Sequence, residues 1–192
     1  PEGNYHLTIF AKAGGYSLTR DDLGEDIYFL HGKALGRLHS ISAKHTGKFL
    51  TRRKRWDEER YFREDLEAFI PEEVRPAVRD TWRQLRSEFS AIPSGADDFG
   101  PSHLDIGYSN FHRDGNRLWL YDFDNCALAP CACDIAVALY GSLFILLRCE
   151  FPGDRTAFAH PCTSRNLAAV LPSFQAGYNS AYRWKDEWTD QM

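Results

Sequence analysis

The sequence predicts an α+β fold dominated by helices and carrying one polar β-hairpin. Apolar residues recur at helical spacing over residues 25–45, where Ile27, Leu30, Ala34, Leu38 and Ile41 fall on one face. Residues 71–90, 134–147 and 165–182 also read as helices. Between them, residues 110–112 and 117–122 are short β-like runs joined by Asp114-Gly115-Asn116, a strong turn signal.

In chain order, residues 5–10, "YHLTIF", predict a strand with Leu7 and Ile9 on one side, ended by Ala13-Gly14-Gly15. The 25–45 helix follows Asp21 and Asp22, either of which is placed to cap its start. Residues 57–70 suit a further helix that stops before Pro71. Pro71-Glu72-Glu73 opens the next, to about Ser90, with Val74, Val78, Leu85 and Phe89 on its apolar side. Pro93-Ser94-Gly95 punctuates the change to the hairpin region. Residues 134–147 are apolar enough for a buried helix, and Pro172 marks a break or restart in the last one.

Composition bounds the function classes. The chain has 192 residues, 43% of them apolar and 14% aromatic, enough for one core with or without a fragment of a second domain. Its formal charge of -4 gives no case for nucleic acid or for an anionic membrane. The basic run Arg52–Arg55 is offset by Asp57-Glu58-Glu59 and reads as a solvated face. No stretch approaches the ~20 apolar residues of a membrane-spanning helix. The first residues show neither a secretory pattern nor an initiator Met, so the expected beginning is a cut. Cysteines at 126, 131, 133, 149 and 162, odd in number and irregular in spacing, predict small buried thiols in a reducing, cytoplasmic compartment, not a zinc site. The scattered His6, His31, His39, His45, His112 and His160 lack metal-ligand spacing, and the tryptophans fit core or interface better than a stacking platform.

The chemistry concentrates in "HLDIGYSNFHRDGNRLWLYDFDNC", residues 103–126. A hairpin folding at Asp114-Gly115-Asn116 returns Asp122, at the end of Leu-Trp-Leu-Tyr, toward the loop that holds Asp105 and Asn110. Two aspartates and an asparagine are oxygen ligands that suit Mg²⁺, which takes few protein ligands and fills its shell with phosphate and water. His103-x-Asp105-x-x-x-x-Asn110 followed by Asp122-Phe123 has the order of a kinase catalytic loop and its metal-binding Asp. Asp124 replaces the Gly of Asp-Phe-Gly and no Ala-Pro-Glu follows, which excludes an ordinary protein kinase.

With "NCALAPCACDIAVALY" after the hairpin and "HGKALGRLHSIS" on the first helix, the chain resembles the aminoglycoside phosphotransferase and choline kinase superfamily. More narrowly it resembles the bacterial phosphotransferase enzyme family. The resemblance implies a protein-kinase-like C-terminal lobe, mainly helical, with a catalytic β-hairpin. Residues 1–13 would be a remnant of the last N-lobe strand and hinge, and residues 14–192 a helical C-lobe. Asp105 would be the catalytic base, and Asn110 and Asp122 the Mg²⁺ ligands, with Asp124 assisting the metal or bracing the loop. The backbone of Phe10, Ala11, Lys12 and Ala13 would touch the adenine of ATP, while His103 and Asp134 would support the loop. Leu104 and Gly107-Tyr108-Ser109 depart from the family's small residue and His-Pro-Gly. The implied activity is ATP- and Mg²⁺-dependent phosphoryl transfer to a hydroxyl of a small molecule. The isolated chain is expected to be inactive, because no Gly-rich phosphate loop and no strand Lys with a partner Glu is present.

Two other readings stand beside this one. "LYDFDNC" resembles the nucleophile motif of a haloacid-dehalogenase-type phosphatase, with Asp122 attacking phosphate and Asp124 as acid. A non-catalytic kinase-like binding module is the other. Asp97 and Asp98 either favour a cationic acceptor or form a solvated turn. The acceptor and the oligomeric state are not legible in these residues.

Overall fold

The structure is a computed structural model that describes residues 9–49, 53–58, 70–92, 95, 97–150, 162–186 and 188. Its helices are α1 (Glu25–Phe49), α2 (Arg75–Ala91), α3 (Cys131–Glu150) and α4 (Cys162–Asn179). Its strands are β1 (Phe99–Ser102), β2 (Phe111–Asp114), β3 (Arg117–Leu120) and β4 (Ala127–Pro130). Most of the strand expected over 5–10 and of the helix expected over 57–70 lies outside the described residues. Ile9 and Phe10 are in no strand and are exposed, and Asp57 and Glu58 belong to a short 3-10 turn.

The centre of the fold is the contact of α1 with α4. It is close because both helices place glycine there: a Cβ on Gly32 would stand 1.9 Å from the Phe174 carbonyl oxygen, and one on Gly177 1.9 Å from that of Phe29. Any larger residue would force the two backbones apart. Around this contact Ile27, Leu35, Ile106, Phe111, Ile135, Phe174, Tyr178 and Trp188 form one buried cluster. This cluster ties the first helix, the loop after β1, the hairpin and both later helices, while Trp56, Phe99, Leu128 and Ala129 form a second, smaller one.

Several sequence expectations change in detail. Asp22 does not cap α1: its carboxylate accepts hydrogen bonds from the Thr19 backbone N–H and hydroxyl and from Tyr16 OH. It closes the preceding 3-10 turn, while α1 starts with Glu25 and Asp26, whose charge suits a helix N-terminus. Pro172 neither breaks nor restarts α4, which runs through it. Val170, Phe174 and Tyr178 anchor the same face on the core on both sides of the proline, and that packing outweighs one lost backbone hydrogen bond. Pro71 does not begin α2 itself; its carbonyl receives the N–H of Val74 and Arg75, and the helix starts at Arg75. On α2, Phe89 packs against Trp56, whereas Val74, Val78 and Leu85 are exposed.

The strands form two antiparallel pairs. In the first, β1 pairs with β4, Phe99 opposite Pro130 and Ser102 opposite Ala127. Neither strand stands out in the sequence, because "FGPS" and "ALAP" are poor in β-branched residues and show no alternation. Burial on both faces makes them strands: all four residues of β4 are buried, and the chain enters α3 directly. The second pair is the expected hairpin, with Asp114 opposite Arg117 across a Gly115-Asn116 turn. Gly115 takes the positive φ, 56°, that the first position of such a turn requires.

Candidate active site

The polar loop between β1 and β2 is held by one buried carboxylate. Asp134, in the first turn of α3, is fully buried and accepts the backbone N–H of His103 at 2.8 Å and of Leu104 at 2.5 Å. Its Oδ2 also pairs with His39 Nε2 from α1 at 3.2 Å. His39 Nδ1 lies 2.7 Å from Tyr178 OH on α4. Burial opposes a charge on His39, but the neighbouring Cys131 and Asp134 reverse this and raise its pKa to about 9. As an imidazolium it donates through both nitrogens, one to Asp134 and one to the Tyr178 oxygen. Three helices and the loop thus meet at one ionic network.

The loop itself is strained at both ends. Leu104 has φ 61°, and Asp122, at the end of the hairpin, has φ 63° and ψ 61°, a left-handed conformation uncommon outside glycine. Such residues persist where their surroundings over-determine them, and they gather at functional sites. Leu104 is fixed by Asp134. Next to Asp122, the Tyr121 carbonyl accepts His103 Nε2–H at 2.9 Å, while His103 Nδ1 accepts the Asp105 N–H at 3.3 Å. His103 is therefore a neutral bridge between the two strained segments, with its ring against Phe123 at 4.4 Å between centroids.

Asn110 is the second bridge. It is buried, its side-chain amide donates to the Asp105 carbonyl at 2.6 Å, and its own carbonyl accepts the Tyr121 N–H at 3.1 Å. Among the described residues its side-chain oxygen has no hydrogen-bond partner. Asp105 is half-buried, and one of its carboxylate oxygens accepts the Asn125 side-chain amide at 3.3 Å. Asn125, immediately after Asp124, carries no motif signal of its own and is not singled out by the sequence. Asp122 and Asp124 are exposed, and no side chain of the described residues engages either carboxylate.

The structure thus brings Asp105, Asn110 and the strand end bearing Asp122 together through hydrogen bonds. An amide oxygen and two carboxylates are hard donors of the kind Mg²⁺ or Ca²⁺ takes, so the residues fit such an ion. Among the described residues no three His, Cys, Asp or Glu side chains form a group able to hold a metal by themselves. A cation here would need ligands from elsewhere, as Mg²⁺ does when it keeps waters and phosphate oxygens.

Other sequence candidates fall elsewhere. Phe10, Ala11 and Lys12 are exposed, Ala13 is half-buried, and no hydrogen bond links them to Asp105, Asn110 or Asp122. They lead into Gly15, whose φ is 76° and where a Cβ would lie 2.0 Å from the Arg113 carbonyl oxygen, and then into the Tyr16–Arg113 bridge on β2. Asp98 is not part of a solvated turn: it is buried and paired with Lys185. Tyr108 fills the place of the family's loop residues with a buried ring whose hydroxyl meets Ser142 at 3.1 Å. Cys131 is buried, and burial raises the thiols of Cys126 and Cys133, the latter to about 12.

Behind the loop, burial keeps His31 neutral by lowering its pKa to about 4, while its Nε2–H donates to the Ile106 carbonyl at 3.0 Å. Two of the buried histidines, His31 and His39, predict opposite stability slopes. His31 titrates lower when folded than its ordinary 6.5, so its contribution is lost as pH falls from about 6.5 toward about 4. His39 titrates higher when folded, so its contribution is complete below about 6.5 and is lost as pH rises toward about 9. Urea unfolding across this range is expected to give greatest stability near pH 6.5, with His31→Gln flattening the acid limb and His39→Gln the alkaline one.

A helical lobe with a kinase-ordered loop, hairpin and metal-suited strand end defines a protein-kinase-like phosphotransferase fold. The chain belongs to the phosphotransferase enzyme family, whose model matches residues 5–187. It is 26% identical over 148 residues to the amicoumacin kinase of Bacillus subtilis (strain 168), a match covering 75% of this chain and 43% of that protein. Among solved structures it is similar to the amicoumacin kinase hAmiN in complex with AMP-PNP, Ca²⁺ and Ami. That likeness has a TM-score of 0.74 at 24% identity and covers 92% of this chain and 49% of the other. The chain thus spans less than half the length of the relatives it matches. Its described sheets are antiparallel pairs, and with the family established the dehalogenase-type reading of Asp122 is set aside. Among the described residues no helix is long and apolar enough to cross a membrane.

Proposed function

We propose that this chain is the catalytic lobe of a kinase that transfers the γ-phosphoryl group of Mg²⁺·ATP to a hydroxyl of a small molecule. The observation that carries the reading is the double tether of Asn110, whose side chain holds the Asp105 carbonyl while its backbone holds Tyr121 beside Asp122. Base and metal-binding groups would thereby be kept in one register at the open end of the hairpin, which phosphoryl transfer requires because it depends on positioning and charge stabilisation.

In this reading Asp105 accepts the proton of the acceptor hydroxyl. Asn125 holds one of its carboxylate oxygens and leaves the other for the alcohol. Asn110 and Asp122 would hold Mg²⁺, with Asp124 assisting, and the ion when bound offsets charge on the phosphoryl oxygens. Phe10–Ala13 would offer backbone groups to the adenine. The kinship with amicoumacin kinases supports a small-molecule acceptor, and the net charge of -4 favours no nucleic acid or membrane partner. Free thiols at 126, 131 and 133 suit the cytoplasm.

Residues 1–192 alone would lack the roof of the adenine pocket. Calorimetric titration of the chain with Mg²⁺·ATP is expected to give a dissociation constant of about millimolar or weaker. Tight, Mg²⁺-dependent binding, with turnover, would show that this lobe needs nothing further.

A further inference from the structure

Away from the catalytic loop, a groove of about 620 Å³ runs between one face of α1 and β3. Leu30 and Leu38 on the helix and Leu118 and Leu120 on the strand give it an apolar lining. Lys33, Arg37 and Arg117 also line it. Among the described residues none of these three cations has a carboxylate partner; Lys33 has only the Phe29 ring, at 6.0 Å. In a protein of net negative charge this is a local concentration of positive charge with no carboxylate partner among the described residues.

The strand beside the groove is also open. In an antiparallel pair the residues alternate between those that exchange hydrogen bonds with the partner and those whose N–H and C=O point away from it. The Tyr121 N–H bonds to the Asn110 carbonyl, and Arg113 turns its own N–H and C=O outward to Tyr16. Leu118 lies opposite Arg113 and Leu120 opposite Phe111, so both present their backbone groups along the outer edge of β3. None of those groups has a hydrogen-bond partner among the described residues.

We propose that this groove is a docking site for an extended acidic peptide segment of a partner protein, which adds a strand to β3. Backbone bonds to Leu118 and Leu120 would set the register, alternate aliphatic side chains would cover the apolar lining, and carboxylates would meet Lys33, Arg37 and Arg117. The charge pattern chooses the partner: among the described residues the groove's cations have no carboxylate partner, which an acidic segment supplies and a basic or neutral one does not. The proposal is independent of the catalytic reading, because none of its residues belongs to that site.

The test uses the chain itself and a fluorescent peptide pool of about eight residues, alternating Asp/Glu with Leu/Ile/Val. Anisotropy should report binding that weakens about tenfold in the Lys33→Glu, Arg37→Glu double variant. Hydrogen exchange at Leu118 and Leu120 should slow in the complex. A matching pool with Lys in place of the acids should not bind. Absence of binding, affinity unchanged in the folded double variant, or equal competition by a single-stranded RNA oligonucleotide would overturn the proposal. So would light scattering that shows a second copy of this chain occupying the groove.

Discussion

Asp134→Ala is expected to lower the unfolding free energy by about 3–5 kcal/mol, the cost of leaving a buried charge without its partner. The carboxylate is fully buried and serves three donors, the N–H groups of His103 and Leu104 and the His39 ring. Without it, two backbone donors are orphaned and a buried imidazolium loses its counter-charge. Each orphaned donor costs about 1–3 kcal/mol, and His39 can relieve its share by losing its proton. Asp134→Asn keeps the shape, removes the charge and turns one of the two accepting oxygens into a donor, so it retains only part of the network. Nuclear magnetic resonance titration of Asp134→Asn should show the His39 pKa falling, whereas urea unfolding should show a smaller loss than in Asp134→Ala. A loss under about 1 kcal/mol for Asp134→Ala, the range of an exposed pair, would mean that the network is not what holds the loop.

The second large effect concerns chemistry. In a polypeptide that joins this lobe to an N-terminal lobe, Asp105→Asn is expected to lower turnover by about 10²–10⁴-fold, the usual contribution of a positioned general base. The substitution is nearly isosteric, so the melting temperature and nucleotide affinity should stay close to those of the parent. A scaffold would keep its function in Asp105→Asn, and undiminished turnover would remove Asp105 from the mechanism. Asn125→Ala offers a milder companion, since it frees the Asp105 side chain without removing it.

The sequence made the helices legible wherever one face repeats apolar residues over several turns. The 25–45 periodicity locates α1, which extends to Phe49, but Ile41 is exposed and the buried face runs through His31, Leu35, His39 and Ser42; the apolar run after Asp134 lies within α3. The hairpin was legible because Gly115 supplies a backbone conformation that few residues tolerate. The β1–β4 pair was hidden, since its residues become strands through burial and long-range pairing. The same limit applied to Asp22 and Pro172: each obeyed contacts with distant or neighbouring groups over its local propensity.

At the site, the motif spacing pointed to 105, 110 and 122, and the hydrogen bonds of Asn110 and His103 connect the segments that carry them. What the spacing did not carry was the means of connection. That His103 bridges to the carbonyl of Tyr121, and that Asn125 reaches Asp105, depends on two left-handed residues, Leu104 and Asp122. Neither is a residue type that announces such a conformation. Asp98 shows the reverse case, a charge that looked solvated and is buried because Lys185 returns to it from the end of α4's following loop.

The central claim is that Asn110 and Asp122 share one divalent cation beside Asp105. Mn²⁺ added with AMP-PNP to the isotopically labelled chain tests it most directly, because paramagnetic relaxation registers even weak occupancy. Broadening is expected to be strongest for resonances from Asp105, Asn110 and Asp122, and to be lost in Asn110→Ala and Asp122→Ala. Broadening centred elsewhere, or an unchanged response in both variants, would contradict it.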